Sequence, residues 1–569
     1  MSQRIFIGVA WPYANGSLHL GQIAGAYLPA DIFARYHRLK GNEVLMVSGS
    51  DQHGTPITIK AGQEGKTPAE VTARYHQQFL ESWQKLGISF DLFTNTGTEN
   101  HAKVTQDIFL KLLEKGYIYK DTVSQPYCPQ CQRFLPDRYV EGTCPHCHSA
   151  GARGDQCDDC GKPLNPEDLL EPRCRLCGGT PQFKDSEHFF LKLSYFQDKL
   201  AAWVGEQGHW RPNVYGLTQR YLKEGLKDRA ITRDIDWGVP VPAKGFEDKR
   251  IYVWFEAVIG YLSASKEWAK AKGDEDGWRP FWRDKETKGY YFIGKDNIPF
   301  HTLIWPAMLM GYGGLNLPYD VPANEFLTIE GRKLSTSRNW AVWLPDYLSR
   351  YEPDPLRYLL SINMPEGGDT DFSWREFVRR NNDELVATYG NLVNRVLTFV
   401  YRNFDGRVPT YADMGATTNV PPLDSRDSEL MDRAFAIYNH IYADDGPLSA
   451  CHFKKAIMMA MTIAQEANRY LDEKSPWKII KENREAAATS LYVAICVISR
   501  LKTALYPFLP FSSQQVHEYL GFEGRLQDYG WQPAPPPPGQ KLLEPKPLFT
   551  KLEEKLVEEE TARLGQAHA

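Results

Sequence analysis

Cysteine is scarce outside one short stretch of this 569-residue chain: only Cys451 and Cys496 lie beyond residues 128–177. An extracellular fold stapled by disulfides along its length is therefore not expected. The chain also lacks any run approaching the roughly 18 consecutive apolar residues of a membrane span. Its first residues lack a basic region followed by a long apolar one, so a cytoplasmic protein without membrane contact is the expectation. Neither sign of charge dominates. Lys and Arg number 66 against 71 Asp and Glu, a net charge of −5, so there is no global attraction to nucleic acid and a polyanion would have to be held by local basic patches. No internal repeat is present. With 42% hydrophobic and 13% aromatic residues the chain can bury several cores, which implies about three or four units.

The organisation follows from hydrophobic spacing. "IFIGVA", residues 5–10, predicts a buried strand, and residues 23–41 carry helical spacing that ends at Gly41. "EVLMVSGSDQHG" then predicts a second strand running into a polar loop. Strand, helix, strand opens a doubly wound parallel sheet, in which ligands sit beyond the carboxyl ends of the strands. The cysteine-rich segment interrupts this pattern, which resumes at "RIYVWFEAVIGYL" and "YYFIGKDNIPFHTLIWPAML". Long helical periods from about residue 380 predict a helix bundle. "QPAPPPPGQK" reads as a spacer rather than structure, followed by a charged terminal helix. The expected divisions are 1–115 and 226–325 for a split sheet domain, 116–225 for its insertion, 326–379 for a connecting region, 380–530 for the bundle and 531–569 for the linker and last helix.

All eight clustered cysteines form Cys-x-x-Cys pairs, 128/131, 144/147, 157/160 and 174/177. Four thiolates around each of two zinc ions leave no open position, which points to structural sites. Only nine residues separate Cys147 from Cys157, so Cys144, Cys147, Cys157 and Cys160 are expected to share one ion, and Cys128, Cys131, Cys174 and Cys177 the other. Disulfides are the competing reading.

Two polar motifs fall at strand ends. In "WPYANGSLHLGQ", residues 11–22, Gly21 lets backbone approach a ligand at a helix start, where free N–H groups favour an anion, and His19 adds a donor. The second, "GRKLSTSRN", residues 331–339, is a basic, hydroxyl-rich loop carrying Lys333, Ser335, Ser337 and Arg338. Read alone, the first is a helix cap and the second a surface turn.

Together, "HLGQ" and "KLSTS" resemble the paired signature motifs of class I aminoacyl-tRNA synthetases. The strings "VAWPYANGSLHLG", "GSDQHGTPI", "YVWFEAVIGY", "FIGKDN" and "NRYLDEKSPW" extend that resemblance, over roughly residues 1–530, to the methionyl-tRNA synthetase family. The resemblance implies an α/β fold: a Rossmann-type doubly wound parallel sheet split by a zinc-knuckle insertion, a stem-contact region with the KLSTS loop, and an all-α anticodon-binding bundle. It implies adenylation of methionine by ATP with Mg²⁺, then transfer to the 3′-terminal adenosine of tRNA(Met) by a monomer. His19, Gln22 and Lys333 would be catalytic. His19, Gly21, Gln22, Lys295, Asp296, Lys333 and Thr336 would bind ATP. Methionine would be held by Trp11, Tyr13, Asp51, Trp254, Ala257, Val258, Tyr261 and His301, and the CAU anticodon read by Asn391, Arg395 and Trp477.

Two positions depart from the family pattern. Gln22 stands where a second histidine is usual, and Thr336 replaces a lysine on the pyrophosphate side, with Arg332 or Arg338 the nearest substitutes. Trp11 stands where the family often has leucine. Three rivals remain: a synthetase for leucine, isoleucine or valine, which would carry a larger insertion; a zinc-ribbon RNA-binding protein without catalysis; and a free-standing nucleotidyltransferase, which needs no helix bundle.

Overall fold

The computed structural model describes residues 2–566 apart from 137, 138, 155, 156, 158, 161, 163, 165, 337 and 533. Its centre is a parallel sheet of five strands, β1 (Arg4–Val9), β2 (Glu43–Ser50), β3 (Leu92–Asn95), β4 (Lys288–Gly294) and β5 (Ala323–Asn324), in the order β5-β4-β1-β2-β3. Each strand pairs in parallel with its neighbour, and β1 is flanked by β2 and β4. The order reverses between β1 and β4, so the crevice beyond their carboxyl ends is the place for a ligand.

The near-continuous apolar strands have the pattern expected of a sheet buried on both faces. Ile5, Ile7 and Val9 belong to a core shared with the helix 28–39, whereas Phe6, Leu45 and Val47 face a second core with Val104, Ile108 and Ile259. After β1 the chain enters a helix at Leu20 and widens by a π turn over Ile23–Tyr27 before Leu28–Leu39. Pro29, which lacks an N–H, is absorbed just after the widened turn.

The insertion is built on a long antiparallel pair, Ile118–Cys128 with Gln182–Leu191, and a smaller sheet of residues 140–143, 152–153 and 170–174. Among the described residues its own core amounts to Leu135, Tyr139, Val140, Ala152, Leu164, Leu169 and buried cysteines, a small core that a cross-link would reinforce. Beyond the connecting region a continuous helix spans 374–403, with a π segment at Asn381–Gly390, and packs against Phe453–Lys474 and Arg484–Leu505, which also carry Ser425–Tyr442.

Where the strand and helix pattern resumes, "VWFEAVIGYL" is part of the helix Val253–Ala271, its apolar residues covering the sheet. Two expectations change. The proline-rich segment is not a free spacer at its end: Gly539 N–H donates to Val408 C=O, Val408 N–H to Gln540 C=O, and Leu542 is buried. Finally, Arg484–Leu505 is apolar and long enough to cross a membrane, but 94% of its apolar window is buried inside the bundle, which accounts for its composition.

Candidate functional site

A cavity of about 820 Å³ opens at the carboxyl ends of β1, β2 and β4. It is lined at one end by Trp11, Tyr13, Asp51, Trp254, Ala257, Val258, Tyr261 and His301, and at the other by His19, Gly21, Gln22, Lys295, Asp296 and Lys333. Trp11 and His301, 290 positions apart, meet here because β1 and β4, the strands that precede them, are neighbours.

At the first end, the backbone of Tyr13 and Asp51 is bridged, with Ala14 N–H donating to Asp51 C=O at 2.8 Å and Asp51 N–H to Pro12 C=O at 2.8 Å. The Asp51 carboxylate is buried and accepts from the His53 N–H at 3.1 Å. Burial, together with the neighbouring Glu256, pushes its pKa well above the usual carboxylate range. His53 is tied to Glu256 at 2.7 Å, which, against its burial, raises its pKa. The buried Asp51 carboxylate is therefore favourably placed to meet a cation brought by a ligand.

The rest of this end is uncharged. His301 Nδ1 donates to Asn297 C=O at 2.9 Å, which leaves Nε2 to accept from the Tyr261 hydroxyl at 2.8 Å. Burial pushes the His301 pKa down to about 4, so the ring is neutral at physiological pH. Trp254 stacks on Phe300 with ring centroids 4.4 Å apart. Trp11 lies in a slot made by two glycines: a Cβ at Gly49 would come within 2.3 Å of its Cζ3, and one at Gly260 within 2.6 Å of its Cζ2.

At the second end, His19 begins the helix, and Gln22 Oε1 accepts its N–H at 3.1 Å. The amide at position 22 is therefore a cap as well as a cavity-lining donor. Desolvation lowers the His19 pKa to about 4, so this partly exposed ring acts as a neutral donor rather than a cation. Gly21 separates the ring from the basic loop, since a Cβ there would lie 3.2 Å from both His19 Nδ1 and Leu334 Cδ1. The segment after the loop returns to the same turn, with Leu20 N–H donating to Val342 C=O at 3.1 Å and Leu344 N–H to Leu18 C=O at 2.7 Å. The two motifs, more than 300 residues apart, are one packed unit.

Lys295 Nζ sits 2.7 Å from Glu325 and 2.9 Å from Asp369. Those carboxylates, against its partial burial, raise its pKa. Burial raises the pKa of Asp296, with Lys295 and Lys333 opposing the rise. Thr336 is exposed and lies apart from the residues lining the cavity, as do Arg332 and Arg338; Ser337 is outside the described residues. Phe300, Glu325 and Asp369 line the cavity without having been singled out in the sequence. Phe300 sits five residues past Lys295 and was within reach of motif reading, but Glu325 and Asp369 carry no local signal.

The cysteines form two groups of four, 128/131/174/177 and 144/147/157/160, with the sulfurs of each group within 4.8 Å of one another. The closest pairs, Cys128–Cys177 at 3.4 Å, Cys147–Cys157 at 3.6 Å, and Cys131–Cys174 and Cys144–Cys160 at 3.9 Å, are too long for disulfides. They bracket the spacing of about 3.8 Å that tetrahedral thiolates adopt around zinc at about 2.3 Å. Both groups could hold zinc.

A family model for class I tRNA synthetases (M) matches residues 5–397, and one for the anticodon-binding domain of methionyl-tRNA ligase matches 424–569. The chain belongs to the methionyl-tRNA synthetase family. A methionine–tRNA ligase of Dehalococcoides mccartyi is 64% identical over 99% of this chain and its own full length, and one from Thermomicrobium roseum is 54% identical over 99% of both. Among solved structures, Mycobacterium tuberculosis methionyl-tRNA synthetase in complex with methionyl-adenylate superposes with a TM-score of 0.79 at 26% identity, covering 96% of this chain and 99% of that one.

In the helical half of this synthetase, Asn391 and Arg395 occupy successive turns of the helix Asn391–Asn403, and Trp477 lies in the short helix Pro476–Ile479. The Arg395 guanidinium stacks on the Trp477 ring at 3.3 Å from its centroid and reaches Asp472 at 3.4 Å. Asn391 is exposed, while Arg395 and Trp477 are half-buried.

Proposed function

We propose that this synthetase activates methionine with ATP, giving methionyl-adenylate and pyrophosphate, and then transfers the methionyl group to the 3′-terminal adenosine of tRNA(Met), releasing AMP. The observation that carries the reading is the two-ended cavity: an uncharged aromatic end under the buried Asp51 carboxylate, continuous with a cationic end under a helix start. Such a shape suits an apolar amino acid joined to a nucleotide, and the M. tuberculosis relative was solved with methionyl-adenylate.

Asp51 pairs with the α-ammonium of methionine, and the thioether lies among Trp11, Tyr13, Trp254, Ala257, Val258 and the Tyr261–His301 pair. Because His301 is neutral with both nitrogens engaged, this wall offers no charge for a polar competitor. In the first step a methionine carboxylate oxygen attacks the α-phosphorus and the bond to the β-phosphate breaks. His19, the Gln22 amide and the helix N–H groups at Gly21 hold the nucleotide, while Lys333 faces the departing pyrophosphate. Lys295, its charge shared with Glu325 and Asp369, and Asp296 position the nucleotide. Catalysis is then positioning and preorganised charge, each contact contributing up to a few kcal/mol. In the second step the ribose hydroxyl attacks the methionyl carbonyl and the bond to AMP breaks. Thr336 is left as a loop residue without a cation's role.

Mg²⁺ accompanies ATP. Zinc at both four-cysteine groups supplies rigid cross-links that reinforce the insertion's small core. Asn391, Arg395 and Trp477 read the CAU anticodon, Trp477 by stacking under a splayed base. The enzyme works as a cytoplasmic monomer. Aminoacylation of tRNA transcripts tests this reading. Methionine should be esterified to a transcript with the CAU anticodon, and to one with an altered anticodon at a rate lower by a factor of 100 or more. Equal charging of both would remove the anticodon assignment, and charging with another amino acid would remove the substrate assignment.

A further inference from the structure

The last described residues of the chain do not trail into solvent. They run back from the helix bundle to the Lys333 loop. Two consecutive asparagines on the helix 374–403 fasten this return: Asn381 Nδ2 donates to Thr550 C=O at 2.9 Å, while Asn382 both donates to Leu552 C=O at 2.8 Å and accepts its N–H at 2.9 Å. The helix Lys555–Arg563 follows, seated on Trp374–Arg380. Its Glu560 is only 4% exposed, accepting the Tyr351 hydroxyl at 2.8 Å and pairing with Arg350.

The strap ends on the loop itself. Gly565 N–H donates to Asn339 C=O at 3.0 Å, and the Asn339 side-chain amide donates to Gln566 C=O. Asn339 sits in the left-handed region, at φ 51°, at the corner where a hairpin closed by Ser335 and Trp340 turns back. Its Oδ1 accepts the Trp343 indole N–H at 2.6 Å, and the Trp343 ring meets the His19 ring edge-on at 6.1 Å, its backbone bridged to that of His19. One side chain therefore joins the end of the polypeptide, the basic loop and the histidine turn.

We propose that Asn339 is the positioning residue of the Lys333 loop, held by residues 564–566, so that the C-terminal strap sets the geometry in which Lys333 meets the departing pyrophosphate. The proposal rests on the reading of that loop given above. It is independent of any contact between strap and tRNA. A strap anchored on the helix that carries Asn391 and Arg395 also gives the bundle a mechanical route to the adenylation site.

Three variants test it by ATP–pyrophosphate exchange: the chain ending at Arg563, Asn339→Ala, and Asn339→Gly, which keeps the left-handed backbone and the bond from Gly565 but loses the side chain. Truncation and Asn339→Ala should each lower kcat/KM for ATP tenfold or more. KM for methionine, and transfer to tRNA from methionyl-adenylate formed beforehand, should stay within twofold. Asn339→Gly should fall between, and truncation combined with Asn339→Ala should match either alone, because both break one linkage. Exchange unchanged by truncation would overturn the proposal. So would a uniform loss of every step alongside a melting temperature lowered by more than about 5 °C, which would make the strap a stabiliser only. Absence of methionine-dependent exchange in the full chain would instead overturn the reading on which the proposal rests.

Discussion

The slot that holds Trp11 makes Gly260 a sensitive position. A methyl group added there would lie 2.6 Å from Cζ2 and 2.7 Å from Cε2 of the indole, whereas carbon atoms rest at about 3.5–4.0 Å, so one partner must move by about 1 Å. The indole cannot retreat toward β2, where the Gly49 backbone already lies so close that a Cβ would be 2.3 Å away. The open direction is the cavity. Overpacking of this kind costs about 1–3 kcal/mol. Alanine's better helix propensity returns at most about 1 kcal/mol, because Gly260 lies inside the helix Val253–Ala271. Gly260→Ala should therefore weaken methionine binding by roughly 5- to 160-fold, converting the overpacking range at 1.36 kcal/mol per decade, and leave KM for ATP within a few-fold. Equilibrium dialysis with labelled methionine measures the first quantity and pyrophosphate exchange the second. Trp11→Leu in the Gly260→Ala background removes the colliding ring and should recover most of the lost affinity. Normal affinity in Gly260→Ala, or no recovery in the double variant, would refute the collision.

The remaining expectations concern the other parts of the site. Asp51→Asn keeps an acceptor for the His53 N–H but removes the charge that meets an ammonium group, a loss of about 2–3 kcal/mol that should raise the methionine Kd roughly 30- to 160-fold by calorimetry. Because the Asp51 pKa is raised in the free protein and a bound ammonium would lower it, binding should release a proton. Methionine affinity should then rise with pH until the Asp51 carboxyl of the free protein is ionised, and calorimetry in buffers of different ionisation enthalpy reads the proton directly. Cys144→Ala should lose one zinc of two per chain by metal analysis, since the groups share no cysteine; loss of both ions would contradict independent sites. Trp477→Ala removes a stacking surface worth about 1–3 kcal/mol, so KM for tRNA should rise while tRNA-independent exchange stays unchanged.

Legibility in the sequence tracked how local each signal was. β1 and β2, buried on both faces, print as short continuous apolar runs, and the polar residues just past their ends, His19 and Asp51, fall into one cavity. Cysteine grouping was readable because loop length alone separates the nine-residue knuckle from the outer pairs. Glu325 and Asp369 were silent because each enters the site through strand pairing with a distant partner, as Leu327–Ile329 with Thr370–Phe372. The glycines flanking Trp11 are likewise meaningful only once two elements cross. The terminal helix of the strap was legible but its docking on the Asn339 loop was not, and proline-rich composition suggested a free linker where backbone bonds fasten residues 539–542 to 406–408.

ATP–pyrophosphate exchange on the purified, zinc-replete chain, with methionine, leucine, isoleucine, valine and cysteine supplied in turn, tests the central claim most directly. Exchange that depends on methionine alone is the predicted result, with Gln22 serving as a neutral donor and cap and Thr336 taking no part. Exchange with none of the five from folded protein, or with a branched amino acid in preference to methionine, would contradict the account.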